Sequence, residues 1–313
     1  MMSALESALA DLRITGAVML HERYAPGVAI AVPAEAELRA LLGHAPNVKI
    51  APFHLVRRGG FELALAGGEK VAMGISDVAV CLDGKPHQLR FGRARSVTPL
   101  ADIVSGRADL SPVNGDCAAE LICGVFAMQA APLNPLLAAL PPVLRCKTRG
   151  EAVQPLLAMA SEMLATELDA PARGGASFTR ARLLEVFFAE AIRANEQTAA
   201  APVGWFRGLT DARISAALTA FHQAPGEAWT VERLADRAAL SPSRFAARFR
   251  DSVGVTAMEY VARWRLNLTC RMLEDPGKTL DAIAHAVGYG GGAALSRAFK
   301  EKLGCSPAHW RAS

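Results

Sequence analysis

The sequence predicts an α+β protein in which a β-barrel or sandwich with a helical pair precedes an all-α domain. The all-α part consists of two helix-turn-helix units joined by a long helix. Three observations predict this architecture: short β-type segments alternate with glycine turns, the middle of the chain has helical apolar spacing, and the last third repeats itself. A chain of 313 residues is long enough for two domains with separate cores.

The N-terminal part begins with a predicted helix over residues 1–16, followed by an apolar strand over 17–20. "GVAIAVP", which starts at Gly27, predicts another strand, and residues 35–42 a short helix. Further β-type segments cover residues 53–57, 61–65, 70–73, 78–81, 87–90 and 120–126. Glycine pairs and an Asp-Gly step supply the turns between them, which is typical of a sandwich or barrel.

Residues 121–144 carry no charge and are long enough to span a bilayer, but four prolines interrupt them. We therefore predict a buried strand, a loop and a short helix, and no membrane span. The six cysteines form no CxxC pair, and charged residues break the first residues where a signal peptide would need an apolar run. Both observations predict a protein of the reducing cytoplasm.

Two amphipathic segments, residues 151–169 and 178–194, predict an antiparallel helix pair joined by "DAPARGGAS". Their apolar faces are wider than one small sheet needs, so two interpretations stay open: core packing alone, or an additional homodimer contact. The alanine-rich stretch that follows is the predicted linker. The predicted domains are residues 1–196, with the helix pair at 151–196, a linker at 197–208, and residues 209–313.

The last third of the chain contains an internal duplication. "LADRAALSPSRFAARFRDSVGVTAMEYVARW" begins at Leu234, and "IAHAVGYGGGAALSRAFKEKLGCSPAHWR" begins at Ile283. The pairs that correspond are Phe245 with Leu295, Phe249 with Phe299, Arg250 with Lys300, Gly254 with Gly304, and Tyr260 with Trp310. The offset is 49 before the turn and 50 after it, so the second copy has one extra residue in its turn.

Each copy is typical of a helix-turn-helix, whose second helix can enter a DNA major groove. Thr230 is the predicted N-cap of the first helix, and Ser241, followed by Pro242, that of the second. Between the copies, residues 256–274 predict one helix of about 28 Å, close to the ~34 Å between successive major grooves. A small helical core that binds nothing is the alternative for one copy alone, and the second copy favours DNA binding.

Residues from about 211 to 311 resemble the DNA-binding domain of the AraC/XylS transcription regulators. The motifs that carry the resemblance are "IAHAVGY", "LSRAFKEKLGCSP" and "HWR" in the second copy. The resemblance implies seven helices, with 241–251 and 291–302 as recognition helices, and double-stranded DNA as the partner. RNA polymerase is a further candidate partner, and we expect neither enzymatic activity nor catalytic residues.

The candidate DNA-binding residues are Ser243, Arg244, Ala247, Arg248 and Arg250 in the first copy, and Gly292, Ala293, Arg297 and Lys300 in the second. Arg297 is the best candidate for a base contact, whereas Arg250 and Lys300 are expected at phosphates. The chain departs from the family at Gly291, where serine usually caps the helix, at Gly292, usually polar, and at Ala247, usually arginine.

Residues from 205 onward hold 15 Lys and Arg against 10 Asp and Glu, and earlier residues 19 against 20. This surplus suits a polyanionic partner.

The N-terminal part resembles the cupin-like effector domain of many AraC-family regulators. The resemblance rests on "APFHLVRRGGFELALAGGEKVAMGISDVAVCLDGKPHQLRFG" and on "LICGVF" followed by "NPLLAALPPVL". It implies a small interior pocket, for which the candidate residues are His54, His87, Cys81 and Cys123. Metal-binding cupins commonly present an HxH pair, but Pro52 and Val56 flank His54 here, so we expect no metal and no cofactor.

Several alternatives remain open for this pocket and for the whole chain. His54 and His87 either bind a small effector or are structural, and the thiols of Cys81, Cys117, Cys123 and Cys146 are candidates for redox sensing. For the whole chain, the alternative is a cupin-type metal-dependent enzyme with a DNA-binding tail. An alkyl-transfer DNA-repair protein would need a nucleophilic cysteine with partners, and the sequence contains no such cluster.

Overall fold

A computed structural model of the chain describes residues 3–45, 47–113, 115–128, 133–149, 155–170, 175–198 and 204–312. The strands are β1 (Ile14–Tyr24), β2 (Val28–Val32), β3 (Lys49–Gly59), β4 (Phe61–Leu65), β5 (Lys70–Met73), β6 (Asp77–Cys81), β7 (His87–Arg90), β8 (Ser96–Pro99), β9 (Ala119–Met128) and β10 (Val143–Lys147). The helices are α1 (Ala4–Asp11), α2 (Glu35–Leu41), α3 (Leu100–Val104), α4 (Pro135–Ala139), α5 (Pro155–Asp169), α6 (Ala176–Thr198), α7 (Trp205–Thr210), α8 (Ala212–Gln223), α9 (Val231–Arg237), α10 (Pro242–Val253), α11 (Ala257–Leu273), α12 (Leu280–Ala286), α13 (Gly292–Leu303) and α14 (Pro307–Ala312).

These elements form two compact units. The sheet unit consists of the described residues of 14–128 and 141–198, and the helical unit of those of 1–13, 129–140 and 199–313. The boundary near residue 199 lies within the predicted linker, of which residues 199–203 are outside the described ranges. The first residues of the chain belong with the C-terminal helices, whereas the sequence placed them in the N-terminal domain.

The sheet unit is a sandwich of two five-stranded sheets, ordered β1-β9-β3-β6-β10 and β5-β4-β7-β2-β8. The strand pairs are antiparallel except β2 with β8. Side chains alternate between the two faces of each strand, so every second residue points into the space between the sheets. The α+β prediction of a sandwich followed by helices is confirmed, and β4, β5 and β7 have the predicted bounds.

Strands β8 and β10 were missing from the sequence prediction. Both are short edge strands of four and five residues, and β8 is largely exposed and ends in a proline, so neither forms the longer run of β-type residues that predicts a strand. The uncharged segment 121–144 contains β9, α4 and the start of β10, with residues 129–132 outside the described ranges. Among the helices that the structure describes, none is both long and apolar enough to cross a membrane.

The outer face of the first sheet packs against the helix pair α5–α6. The Phe126 ring lies 4.7 Å from that of Phe188, and the Phe53 ring 6.2 Å from that of Phe187. A Cβ atom at Gly16 would lie 2.4 Å from Cβ of Leu184, so this glycine allows α6 to approach β1 closely. The predicted pair is thus present, although residues 151–154 and 171–174 lie outside the described ranges.

The helical unit contains the seven helices implied from residue 211 onward, α8 to α14. The linker helix α11 has 17 residues, which gives about 25 Å, slightly less than predicted. The duplication is visible in the packing: the Phe249 ring meets that of Tyr260 at 5.8 Å and 71°, and the Phe299 ring meets that of Trp310 at 6.0 Å and 77°. The two copies therefore share one aromatic core arrangement.

The predicted helix over residues 1–16 is shorter in the structure, because α1 ends at Asp11 and Arg13 adopts a positive φ of 40° before β1 begins. Within the helical unit, the buried Asp11 carboxylate accepts hydrogen bonds from Asn267 and Arg271 of α11. Burial raises the pKa of Asp11, while the Arg271 and Asn267 contacts act in the opposite direction. Helix α1 is thereby attached to the linker helix.

Candidate DNA interface and interior histidine–thiol cluster

Helix α10, the predicted recognition helix of the first copy, presents a polar exposed face. Phe245 and Phe249 are buried on one side and hold the helix against its neighbours. The predicted DNA-binding residues lie on the other side, where Ser243, Arg244, Ala247, Arg248 and Arg250 are all exposed. The four-residue spacing of the two phenylalanines fixes which face of the helix remains available to a duplex.

Arg248 is engaged within the helical unit. Its Nε atom donates to Oδ2 of Asp211 at 2.5 Å, and Asp211 caps the N-terminus of α8 by accepting from the amides of Arg213 and Ile214. Burial raises the pKa of Asp211, but the hydrogen bonds from Arg248 and the two amides outweigh it, and the net shift is downward. Arg248 therefore braces α10 against α8 rather than extending freely from the surface.

The second recognition helix, α13, begins in an unusual way. Gly292 is buried, and its amide donates to Oδ1 of Asp281, on α12, at 2.6 Å. A Cβ atom at residue 292 would lie 2.9 Å from that same oxygen and 3.3 Å from Cγ of Leu280. Asp281 thus supplies the capping oxygen that a serine at residue 291 usually provides, and glycine at 292 makes room for it.

This arrangement corrects one expectation about the site. Gly292 was predicted to face the bases, but it is buried and its only backbone donor is already bonded to Asp281. Ala293, Arg297 and Lys300 are exposed on α13, as a DNA-facing position requires. Among the four candidate residues of the second copy, Gly292 is thus the one that is not exposed.

Arg265 of the linker helix contacts both copies. Its guanidinium donates to the carbonyl oxygens of Pro225 (2.9 Å) and Glu227 (2.6 Å), in the loop before α9, and of Gly288 (3.2 Å), in the turn after α12. Around the same place, a Cβ atom on Gly226 would lie 2.5 Å from the Ala286 carbonyl oxygen. Arg265 therefore connects the loop that precedes the first copy with the turn of the second copy.

A chain of buried polar side chains lies behind the first copy. Trp205 Nε1 donates to the Tyr260 hydroxyl at 2.8 Å, and this hydroxyl lies 2.6 Å from Nε2 of His222. In the neutral tautomer of His222 that carries its proton on Nδ1, Nε2 accepts the hydroxyl proton of Tyr260. Burial lowers the pKa of His222 to about 3.

The sheet unit contains a second candidate site between its two sheets. His54 on β3 and Cys123 on β9 are register partners in the first sheet, Cys81 ends β6, and His87 begins β7 in the opposite sheet. His54 Nδ1 lies 3.2 Å from Cys123 Sγ, and His54 Nε2 lies 3.0 Å from His87 Nε2. Cys81 Sγ lies 3.8 Å from the same His87 nitrogen. The four residues predicted for the interior pocket therefore form one cluster, called here the histidine–thiol cluster.

Burial controls the protonation of this cluster. It lowers the pKa of His54, with a further contribution from His87, and it also lowers the pKa of His87. Burial raises the pKa of Cys81 and that of Cys146 to about 12, and it raises the pKa of Cys123 as well. Because oxidants react with thiolates, protonated buried thiols fit the redox-sensing hypothesis poorly.

The cavity beside His54 and Cys123 is narrow and apolar. Its other lining residues are Met19, Leu20, Ile30, Val32, Leu38, Pro52, Leu89, Leu100, Gly124 and Val125, and its volume of about 20 Å³ holds little more than one water molecule. A wider groove of about 370 Å³ lies at the surface, where Lys70, Arg90 and His87 contribute to its wall. His87 is thus the residue shared by the cluster and the surface groove.

Sequence reasoning missed three residues that position the candidate recognition helices: Asp211, Arg265 and Asp281. Asp211 carried a signal, because an aspartate directly before an apolar helix is a common N-cap. The roles of Arg265 and Asp281 depend on contacts between helices that are separated by loops, so no local pattern indicates them. Within the interior cluster, the candidate residues were correct, but their mutual distances depend on sheet register.

Comparison with known proteins gives the following likenesses. A family model described as Cupin matches residues 3–196, and one described as Helix-turn-helix domain matches residues 234–313. A putative AraC-like transcription regulator of Streptomyces antibioticus is 34% identical over 287 residues, which cover 87% of this chain and 89% of that protein. A second, of Streptomyces lividans, is 49% identical over 108 residues, or 34% of this chain and 36% of that protein. Among solved structures, the DNA-binding domain of AdpA in complex with a target DNA is similar at 31% identity, covering 31% of this chain and 86% of that chain, with a TM-score of 0.30.

Proposed function

The chain belongs to the AraC-type family of transcription regulators, with a cupin-like N-terminal domain and a helix-turn-helix DNA-binding domain, and we propose that both recognition helices contact one duplex under the control of a signal received between the two sheets. The observation that carries the proposal is the duplicated packing of α10 and α13, each with a buried aromatic face and an exposed polar face. A linker helix of about 25 Å is compatible with reading successive major grooves.

The proposed contacts differ between the two helices. Arg297 contacts a base edge, because its guanidinium is exposed near the middle of α13 and can donate two hydrogen bonds to guanine. Arg250 and Lys300, near the ends of their helices, contact phosphates, together with Arg244. Small side chains at Ala247 and Ala293 leave room for thymine methyl groups or for close approach of the backbone. Arg248 contributes indirectly, by bracing α10 through Asp211.

We propose that the sheet unit transmits its signal as a homodimer joined through α5 and α6. Apolar side chains remain exposed on these two helices: Leu156, Met159, Met163, Phe178 and Val186. Leu156, Met159 and Met163 are spaced by three and four residues and so share one face of α5, and exposed apolar side chains grouped in this way are typical of a contact surface. Light scattering at micromolar concentration tests the dimer, and Met159→Glu is expected to shift the protein to a monomer, whereas a monomeric wild type excludes it under those conditions.

Regulation rather than catalysis is the activity that we propose. The relatives that match over most of the chain are named as regulators, and an exposed recognition surface accompanies the duplicated helix-turn-helix. A cupin-type enzyme with a DNA-binding tail would turn over a substrate in the sheet unit. The cavity of about 20 Å³ between the sheets is too small for an organic substrate in this conformation.

Selection of bound sequences from random DNA with the purified full chain tests the proposal. Two enriched motifs about one helical turn apart are expected if both helices read bases. A single motif indicates that one helix only contacts the backbone, which contradicts the two-helix arrangement. Absence of any enrichment at low salt, where phosphate contacts are strongest, contradicts sequence-specific binding altogether.

A further inference from the structure

The histidine–thiol cluster has the donor atoms of a metal site. His54 Nε2, His87 Nε2 and Cys81 Sγ are all buried and lie within 4.8 Å of one another. A tetrahedral ion with bonds of about 2.05 Å to nitrogen and 2.3 Å to sulfur places two nitrogens about 3.3 Å apart and nitrogen and sulfur about 3.6 Å apart. The observed distances of 3.0 Å and 3.8 Å for two of the three pairs differ from these values by only a few tenths of an ångström.

The surroundings orient both imidazoles toward the same point. His87 Nδ1 lies 3.4 Å from the Lys85 carbonyl oxygen, and His54 Nδ1 lies 3.2 Å from Cys123 Sγ. When each Nδ1 donates to its outer partner, each Nε2 presents a lone pair to the space between them. Outer partners of this kind are what fixes the tautomer of histidines that bind metals.

We propose that His54, Cys81 and His87 bind one thiophilic d10 cation, Cu⁺ or Zn²⁺, through two nitrogens and one sulfur. This inference rests on the proposed function and names the class of signal that the sheet unit receives. Soft thiolate ligands select Cu⁺ and Zn²⁺ over the harder ions that bind to carboxylates and water. The donor set therefore differs from the HxH pattern, whose absence led the sequence analysis to expect no metal.

Size and charge agree with an ion rather than an organic effector. The cavity next to the cluster, which His54 and Cys123 line, has a volume of only about 20 Å³ and leaves no room for an organic effector. Cu⁺ with one thiolate is neutral and fits the apolar lining best. Zn²⁺ with one thiolate keeps one positive charge. The carboxylates of Glu22 and Asp83 partly offset that charge, because they are close enough to act on Cys123 and Cys81. The surface groove bordered by His87 is the proposed path for entry.

Binding involves a defined transfer of protons and no redox step. The Cys81 thiol releases its proton to solvent as the metal–sulfur bond forms. The single proton of His54 moves from Nε2 to Nδ1, where the Cys123 sulfur accepts it, and Nε2 then binds the cation. His87 keeps its proton on Nδ1, facing the Lys85 carbonyl oxygen.

Metal titration of the full chain without DNA tests the inference. Reduced protein is titrated anaerobically with Cu⁺ against a chromophoric Cu⁺ chelator, and separately with Co²⁺ as a coloured probe for Zn²⁺. We expect one equivalent of either ion to bind, with sulfur-to-metal charge-transfer absorption for Co²⁺. Cys81→Ser is expected to lower the affinity by at least about 100-fold, since loss of an outer partner alone lowers it 10–100-fold.

The matched control is Cys146→Ser, on the neighbouring strand β10 and outside the cluster, which should bind metal as the wild type does. Thermal unfolding of each variant shows whether it is folded. X-ray absorption of the loaded wild type needs no variant: two nitrogens and one sulfur support the site, and nitrogen or oxygen ligands alone overturn it. Failure to bind either ion, or equal binding by Cys81→Ser, also overturns it. DNA selection with metal-free protein is a separate measurement, so a failed metal site is distinguishable from failed DNA binding.

Discussion

The two helix-turn-helix copies share their packing but differ at the start of the recognition helix. In both, a phenylalanine near the end of that helix meets an aromatic ring from the next helix, and a glycine with positive φ, Gly254 or Gly304, ends it. In the first copy Ser241 and Pro242 begin the helix, and the serine side chain makes no capping bond. In the second, Asp281 reaches the Gly292 amide from the preceding helix.

In a duplicated unit, the side chains of the buried face are thus more constrained than the groups that cap the N-termini of its helices. Aromatic contacts depend on the shapes of several neighbours, so a change at one position disturbs many contacts. A helix N-terminus needs only an oxygen within reach of a free amide, and different residues can supply it. Variants that exchange features between the copies can therefore test which differences matter.

The largest expected effect is acid sensitivity of the first copy through His222. Its pKa of about 3 in the folded state lies below the ~6.5 of an unfolded histidine, so protons bind preferentially to the unfolded chain. Stability is therefore complete above pH 6.5 and falls by about 1.4 kcal/mol per pH unit below it, or about 3 kcal/mol at pH 4.5. Urea unfolding followed by tryptophan fluorescence measures this, because Trp205, Trp229, Trp264 and Trp310 all lie in the helical unit.

His222→Gln is the control for this effect. Glutamine keeps an acceptor for the Tyr260 hydroxyl but does not titrate in this range. The free energy of unfolding of the variant should therefore fall less steeply with decreasing pH than that of the wild type, by the contribution of one proton. Equal slopes for the variant and the wild type would show that other groups cause the acid loss.

The next largest effect is expected at the turn of the second copy. Gly288 has φ +84°, and a Cβ atom there would lie 2.6 Å from Arg265 Nη2 and 2.7 Å from the Gly226 carbonyl oxygen. Gly288→Ala should lower the free energy of unfolding by about 2–3 kcal/mol, from the left-handed backbone and the overlap together. Urea unfolding of the helical unit is the measurement.

The matched change in the first copy is expected to raise the free energy of unfolding instead of lowering it. Ala239, which corresponds to Gly288 at the offset of 49, already adopts φ 50° and is exposed. Ala239→Gly should remove the strain of a left-handed backbone conformation at an alanine. The free energy of unfolding should rise by about 0.5 kcal/mol, after the entropy gained by the unfolded chain is subtracted. If both changes destabilise equally, the two turns are not equivalent.

The third effect concerns DNA affinity. Arg297→Ala should weaken binding to the selected sequence about tenfold and relax preference at one base, because a bidentate contact contributes about 1–3 kcal/mol. Fluorescence anisotropy with matched and mismatched duplexes measures both. Lys300→Ala is the control, and it should weaken binding to all sequences alike and reduce the salt dependence.

The equivalent position in the first copy offers a gain-of-contact test. Ala247 corresponds to Arg297 at the offset of 50, and its exposed site has space for a longer side chain. Ala247→Arg is expected to tighten binding to DNA that carries guanine at the matching position of the first half-site. Unchanged affinity across all four bases at that position would indicate that α10 does not face base edges.

The smallest effect is expected at the helix caps. Asp281→Ala should lower the free energy of unfolding by about 1 kcal/mol, whereas Asp281→Asn keeps an oxygen for the Gly292 amide and should lose much less. Ser241→Ala in the first copy should change stability very little, because that side chain makes no capping bond. A larger loss from Ser241→Ala than from Asp281→Ala would reverse the proposed difference between the copies.

Local patterns located most of the elements but did not indicate the contacts between them. The apolar pattern placed α11 within one residue, the resemblance to the AraC/XylS domain placed α10 and α13 within about two residues, and glycine turns located β4, β5 and β7. The candidate residues His54, Cys81, His87 and Cys123 were identified singly, but their convergence depends on how two sheets face each other. Likewise, the attachment of α1 through Asp11 to Asn267 joins positions more than 250 residues apart, which no window of sequence contains.

The guanidinium of Arg265, bonded to carbonyl groups on either side of the linker helix, also sets a condition on the target. Two reading elements held by such a clamp cannot rotate independently, so each base pair inserted between the half-sites turns one of them away by roughly 35° around the duplex axis. DNA binding by this protein should therefore tolerate base changes within a half-site more readily than a change in the number of base pairs between the half-sites. A variant that removes the Arg265 contacts should accept other spacings before its affinity for either half-site falls.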